Sequence, residues 1–352
     1  MTTESKNLAD RSAALRQWNP MTAKLLGIAA VLLAVCAYTA LSSDRFLLVG
    51  NIENLVHRTA LFGILSIGAA FVIITGGIDL SIGSVVCLVG VLLPYLIVER
   101  DWSPWIVVPT VLAMSVAIGV AHGLLITKMR LQPFVVTLCG LLLYRGIARG
   151  ITFDQAQGFG VGSKGLRKIA TERLPIFGSS PEVFHLPATT MVLVIVAIAA
   201  AIFLNRTIYG RYLLALGSNP EAARYSGIRV DRMVILAYVL CATLAGFGGM
   251  LFVLDINAAQ PSDFGSSYEL YAIAAAVLGG CSLRGGEGSI LGVLIGAALM
   301  VVLSNMINLV HPDYQNIEFA IIGGVILIGV MLDETVRRVV AARRAAARNS
   351  AP

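Results

Sequence analysis

Residues 59–98 read TALFGILSIGAAFVIITGGIDLSIGSVVCLVGVLLPYLIV, and Asp79 is the only charged side chain among them. A hydrocarbon core about 30 Å thick takes roughly 20 apolar residues of helix to cross. The stretch therefore reads as two membrane spans, 59–76 and 80–98, separated by a glycine-rich break. The same alternation of apolar run and polar break extends in both directions. It predicts further spans at 24–42, 105–127, 131–149, 187–205, 233–254, 270–281, 288–310 and 318–333. The segment 270–281 is too short to cross upright and is expected as a half-span or re-entrant piece. The fold class expected is all-α, a polytopic transmembrane helical bundle of about ten spans.

Composition agrees. The 352 residues are 57% hydrophobic and 13% charged, with a mean hydropathy of +0.83. Soluble domains run near half apolar and a quarter charged. The net charge of +6 does not point to nucleic acid, because the basic residues concentrate in tails and particular loops, where they encode orientation. Lys6, Arg11, Arg16 and Lys24 precede the first span, and Lys128 and Arg130 sit in one turn. Arg206, Arg211, Arg224, Arg229 and Arg232 occupy the 205–232 loop, and Arg337, Arg338, Arg343, Arg344 and Arg348 follow the last span. Ten spans place all four groups, and both termini, in the cytoplasm. The implied organisation is a tail at 1–23, a permeation domain at 24–333 and a basic tail at 334–352. The connector 150–186 disagrees, carrying Lys164, Arg167, Lys168 and Arg173 on the expected outer side. The apolar run 25–41 lacks a small-x-small cleavage site and is read as a retained first span. Two similar units, spans two to five and seven to ten, would be inverted repeats in this topology.

Three stretches carry the candidate chemistry. In 75–84 the glycines permit a sharp backbone turn, Ser81 is placed to cap the next helix, and Asp79 is favoured near that helix start. A carboxylate at membrane depth faces protein or water. The element is either a broken helix lining a translocation path or a capped turn with a structural aspartate. The 205–232 loop holds a short helix with Asn219 as N-cap, Pro220 at the first helical position, Glu221 complementing the dipole and Gly227 as terminator. Such a helix suits docking of a partner or rests on anionic headgroups. The run 278–288 packs five glycines into a tight cytoplasmic turn, with Arg284 and Glu287 as a candidate pair. His122 in the fourth span is expected to serve packing rather than a proton relay. Cys36, Cys87, Cys139, Cys241 and Cys281 have no zinc-ligand spacing and read as free thiols. GVGSKG at 160–165 fits GxGxxG without a strand-turn-helix context, and no GxxxxGK[ST] loop occurs. The chain is not expected to hydrolyse ATP, and no catalytic constellation marks it as a membrane enzyme.

Taken together, TGGIDLSIGS at 75–84, ALGSNPEAARYSGIRVDR at 215–232 and YELYAIAAAVLGGCSLRGGEGSILG at 268–292 resemble the permeases of ribose-type sugar importers of the ATP-binding-cassette superfamily. The likeness runs in order from about residue 50 to 333. It implies a homo- or heterodimer of permeases in a bacterial inner membrane, two cytoplasmic ATPase domains and a periplasmic sugar-binding protein. ATP and Mg would be bound by the ATPase, with no cofactor in this chain. By the resemblance, Asn219, Pro220, Glu221, Ala222, Ala223, Arg224, Tyr225, Ser226 and Gly227 form the coupling helix that docks into the ATPase. Gly76, Gly77, Asp79, Ser81 and Gly83 would lie near the translocation path, and Gly279, Gly280, Ser282, Arg284, Gly285 and Gly286 would form the cytoplasmic turn. Branched-chain amino-acid permeases are more distant relatives. One departure stands out: relatives often carry an acid two residues after the glutamate of their ELDAIAA run, where this chain has Leu270 and then Tyr271 after Glu269. An ion-coupled secondary transporter with Asp79 as its ion site is the alternative reading.

Overall fold

Apolar runs of 18 residues or more become helices that cross the bundle, and polar breaks become its ends. A computed structural model describes residues 20–175 and 184–324, together with 327 and 331. Among the described residues eight helices are long and apolar enough to cross a membrane. They are α1 (Pro20–Ser42), α2 (Val49–Ile74), α3 (Ile82–Pro94, continued by a π-turn Tyr95–Glu99), α4 (Pro104–Thr127), α5 (Pro133–Thr152), α7 (Ala188–Arg206), α10 (Val230–Ile256) and α12 (Ile290–Val310). The shorter helices are α6 (Lys164–Thr171), α8 (Ile208–Ser218), α9 (Pro220–Tyr225) and α11 (Tyr268–Leu278). This is a multi-pass helical membrane protein.

Two of the ten expected spans are not among these eight helices. Expected span 270–281 is α11, whose 11 residues reach only about 16 Å at 1.5 Å each, about half a hydrocarbon core. Expected span 318–333 begins as helix at 318–324, and most of its remainder, like most of the two tails, lies outside the described residues. The second span begins ten residues earlier than expected. Asn51, Glu53, Asn54, His57 and Arg58 all belong to α2, where Glu53 pairs with Arg173, His57 with Asp255, Asn51 with Asn305, and Asn54 accepts from Arg173.

Helices α2 and α10 form the centre. An 18-residue apolar stretch of α2 is 78% buried inside the molecule, against 6% for that of α1 on the periphery. Helix α10 packs on α2, α3 and α4, while α11 and α12 pack on the other side of α2. Without a hydrophobic drive between helices in lipid, close backbone approach supplies the attraction. Gly119 and Gly123 of α4 provide it: a β-carbon on either would lie 2.6 Å from α10, against Tyr238 O or Ile235 Cα.

Two short antiparallel ribbons tie down the 150–186 connector. Strand β1 (Gln157–Gly158) pairs with β4 (Ala258–Ala259), just past the end of α10. Strand β2 (Arg173–Pro175) pairs with β3 (His185–Pro187). Two of the connector's basic residues have structural partners. Arg167 Nε donates to Leu254 O at 3.1 Å, closing a carbonyl near the end of α10. Arg173 pairs with the buried Glu53 carboxylate and donates to Asn54 Oδ1 at 3.1 Å. The connector thus sits at the opposite end of α10 from α9.

Candidate functional site

Helix α2 stops at a Schellman turn. The Gly76 N–H donates to Ile73 O at 2.9 Å and the Gly77 N–H to Val72 O at 3.1 Å. Gly76 has φ +80°, the left-handed conformation that such a stop requires and that glycine adopts without cost. Asp79 then turns the chain into α3. Its Oδ1 accepts from the Ser81 N–H at 2.8 Å and from the Ser81 hydroxyl at 2.6 Å. Ser81 occupies the N-cap position, but its side chain makes no capping bond. The expectation that Ser81 caps α3 is therefore corrected: its hydroxyl is drawn back to Asp79 Oδ1. The Ser84 hydroxyl donates to Ser81 O at 2.8 Å.

The turn is gripped from both sides, since Tyr238 of α10 and Thr137 of α5 donate to Ile78 O at 3.4 and 3.3 Å. Asp79 is 2% exposed, and its Oδ2 has no hydrogen-bond partner among the described residues. The Cys241 thiol borders the carboxylate, and His122, Tyr144 and Tyr238 lie within its electrostatic reach. His122 is itself buried, with Nε2 2.8 Å from the Tyr144 hydroxyl.

A second carboxylate at the start of α3 escaped the sequence reading. The Glu269 carboxylate lies against Gly83, where a β-carbon would overlap it and Gly265 O. Gly83 is small so that this acid can reach the positive end of the helix. Its signal was present in the first turn of α11, but it required knowing that α11 abuts α3.

The three motif stretches meet at one point. The Gly286 N–H donates to Ile74 O, the terminal carbonyl of α2, at 2.8 Å. Gly217, at the end of α8, lies so close that a β-carbon would overlap both Ile74 O and Gly286 N. One on Gly285 would lie 2.9 Å from Gly76 N and 2.8 Å from Gly217 O. Gly285 and Gly286 have φ of +85° and +79°. Below this junction the turn closes on itself, Ser282 N to Glu287 O at 3.1 Å and Gly285 N to Ser282 O at 2.8 Å, and Ser282 Oγ accepts from Arg284 N at 3.3 Å. Glu287 receives Lys24 of α1 at 3.0 Å. Gly280 (φ +93°) and Gly279 lead α11 into the turn.

Helix α9 leaves this junction directly. Asn219 Oδ1 accepts from the Ala222 N–H at 3.0 Å, with Pro220 following as expected. Gly227 (φ +83°) ends the helix, its N–H donating to Arg224 O at 3.0 Å and Ile228 N–H to Ala223 O at 3.1 Å. Ala223 faces inward, whereas Glu221, Ala222, Arg224, Tyr225 and Ser226 are exposed, Tyr225 at 91%. Asp231 holds the helix to the bundle, 3.6 Å from Arg224 and 2.8 Å from Lys128.

Residues 51–331 match the family described as branched-chain amino acid transport system / permease component. The chain belongs to that permease family. The ribose import permease protein RbsC of Escherichia coli (strain K12) is 38% identical over 306 residues, covering 86% of this chain and 91% of that protein. The ribose import permease protein RbsC of Bacillus subtilis (strain 168) is 37% identical over 286 residues, 80% of this chain and 84% of its own. The xylose transport system permease protein XylH of Escherichia coli (strain K12) is 28% identical over 362 residues, 88% of this chain and 91% of its own. The family description names amino acids, whereas these relatives are named for sugars. No solved structure matches the chain.

Proposed function

We propose that this permease is the membrane-spanning subunit of an ATP-binding-cassette importer for a small sugar, working in a bacterial inner membrane. A periplasmic binding protein delivers the monosaccharide, and a second permease subunit completes the pathway. A separate cytoplasmic ATPase, which binds ATP and Mg, docks on residues 219–227 and drives transport. The single observation that carries the mechanism is the junction of Ile74, Gly217 and Gly286. Helix α9 is joined to α8, α8 ends against the last carbonyl of α2, and the buried Asp79 turn follows five residues later. Atoms this close have no slack, so a displacement of α9 is transmitted to the break between α2 and α3 instead of being absorbed by a loose loop. The Asp79 turn, with Gly76, Gly77, Ser81 and Gly83, acts as the hinge of the translocation path.

The test is a gentle-detergent pull-down of the full chain from its native membranes, assayed for ATP hydrolysis. Activity should co-purify and be lost when residues 219–227 are scrambled in a protein that still folds. Intact, assembled permease without associated ATPase would refute the reading.

A further inference from the structure

A cavity of about 810 Å³ opens at the end of the bundle opposite α9. That volume is typical of small-molecule pockets. Asn51, Asn54, Arg58 and Phe62 of α2 line it at successive helical turns, and Ser304, Asn305 and Asn308 of α12 do the same from across it. Two polar stripes on spanning helices are costly in a membrane and mark a pathway or a ligand. None of the five residues expected near the translocation path lines this cavity. Arg58 and Ile74 are sixteen positions apart on α2, about 24 Å along the helix.

The wall between the stripes is aromatic. Phe62 lies 5.0 Å from Tyr268, 5.3 Å from Phe252 and 5.4 Å from Tyr271 between ring centroids, and Phe252 lies 4.8 Å from Tyr268. Part of the polar lining is already committed. Asn51 and Asn305 bond each other at 2.8 Å, and the Tyr271 hydroxyl donates to Glu318 at 3.0 Å. The side chains of Arg58, Ser304 and Tyr268 make no hydrogen bond or ion pair among the described residues, so their donors are available to a ligand. Planar polar groups around an edge and aromatic rings on a face match a sugar, whose hydroxyls ring its edge and whose C–H bonds form an apolar face.

We propose that this chamber, between the polar stripes of α2 and α12 and the rings of α10 and α11, is the monosaccharide-binding site of the permease. Phe62, Tyr268 and Phe252 form the platform for the sugar's C–H face, and Arg58 and Ser304 bond its hydroxyls. Tyr271 closes the platform and holds Glu318. The assignment rests on the sugar-importer reading and gives that reading a site.

The test uses the full chain assembled with its ATPase and binding protein in proteoliposomes, with ATP-driven uptake of radiolabelled ribose, xylose, hexoses and leucine. Arg58→Ala should lower the sugar moved per ATP hydrolysed at least tenfold, and Ser304→Trp, which fills the chamber, should abolish uptake. If Ser304→Trp fails to assemble, Arg58→Ala decides alone. Wild-type uptake and sugar preference in assembled Arg58→Ala would overturn the chamber while leaving the importer reading intact. An unaltered complex that carries leucine, or no sugar at all, would overturn the importer reading and the chamber together.

Discussion

The Oδ1 atom of Asp79 accepts both the N–H and the hydroxyl of Ser81, while Oδ2, equally buried, has no hydrogen-bond partner among the described residues. An amide oxygen can keep the first role, whereas an alanine removes it. Asp79→Ala is therefore expected to cost about 1–2 kcal/mol, as loss of a helix-capping acceptor does, and Asp79→Asn clearly less. Thermal unfolding of the two variants in detergent checks the order. The sequence singled out Asp79 because it is the only charge in forty residues. It did not reveal that Ser81 is bound to it, since a serine before an apolar run reads equally well as a cap. Nor did it single out Glu269, whose role is set by a contact between helices far apart in the chain.

Helix α9 was legible in advance because every signal that makes it is local. Asn219, Pro220 and Gly227 act through bonds within four residues of themselves, and all behave as expected. Asn219→Ala should weaken the helix by about 1 kcal/mol. Gly227→Ala should cost about 1–2 kcal/mol for holding a β-carbon at positive φ. In both variants ATPase recovered in pull-down should fall while the permease stays in the membrane. Reversing charge with Glu221→Lys and Arg224→Glu should reduce ATP-driven uptake, and full uptake in that double variant would exclude α9 as the coupling element. The glycine junction was not legible. Gly217, Gly285 and Gly286 stand out in sequence only as small residues in loops, and their reason is the approach of three segments separated by more than sixty residues.

On the scale of the molecule, hydropathy located the spanning helices, and the short reach of 270–281, but misjudged where α2 begins. The scale assigns polar residues to water, whereas Glu53 finds its partners within the protein. Glu53 is 5% exposed yet accepts from Arg173 and from His185 N–H at 2.6 Å. Arg173→Ala leaves this carboxylate with a lost charged partner, at a cost of about 1–3 kcal/mol moderated by the arginine's partial exposure. A lower melting temperature and easier proteolysis of the 150–186 connector should follow. On the proposed mechanism the two ends of the bundle act as one mechanical unit, with α9 at one end and the polar chamber at the other, joined by α2 and α10. The most direct measurement of that unit is the number of sugar molecules transported per ATP hydrolysed in proteoliposomes carrying Gly217→Ala. The added methyl forces α8 away from Ile74 and Gly286, so the assembled complex should hydrolyse ATP with at least a tenfold lower sugar yield. An assembled Gly217→Ala transporter with unchanged yield would contradict coupling through the junction.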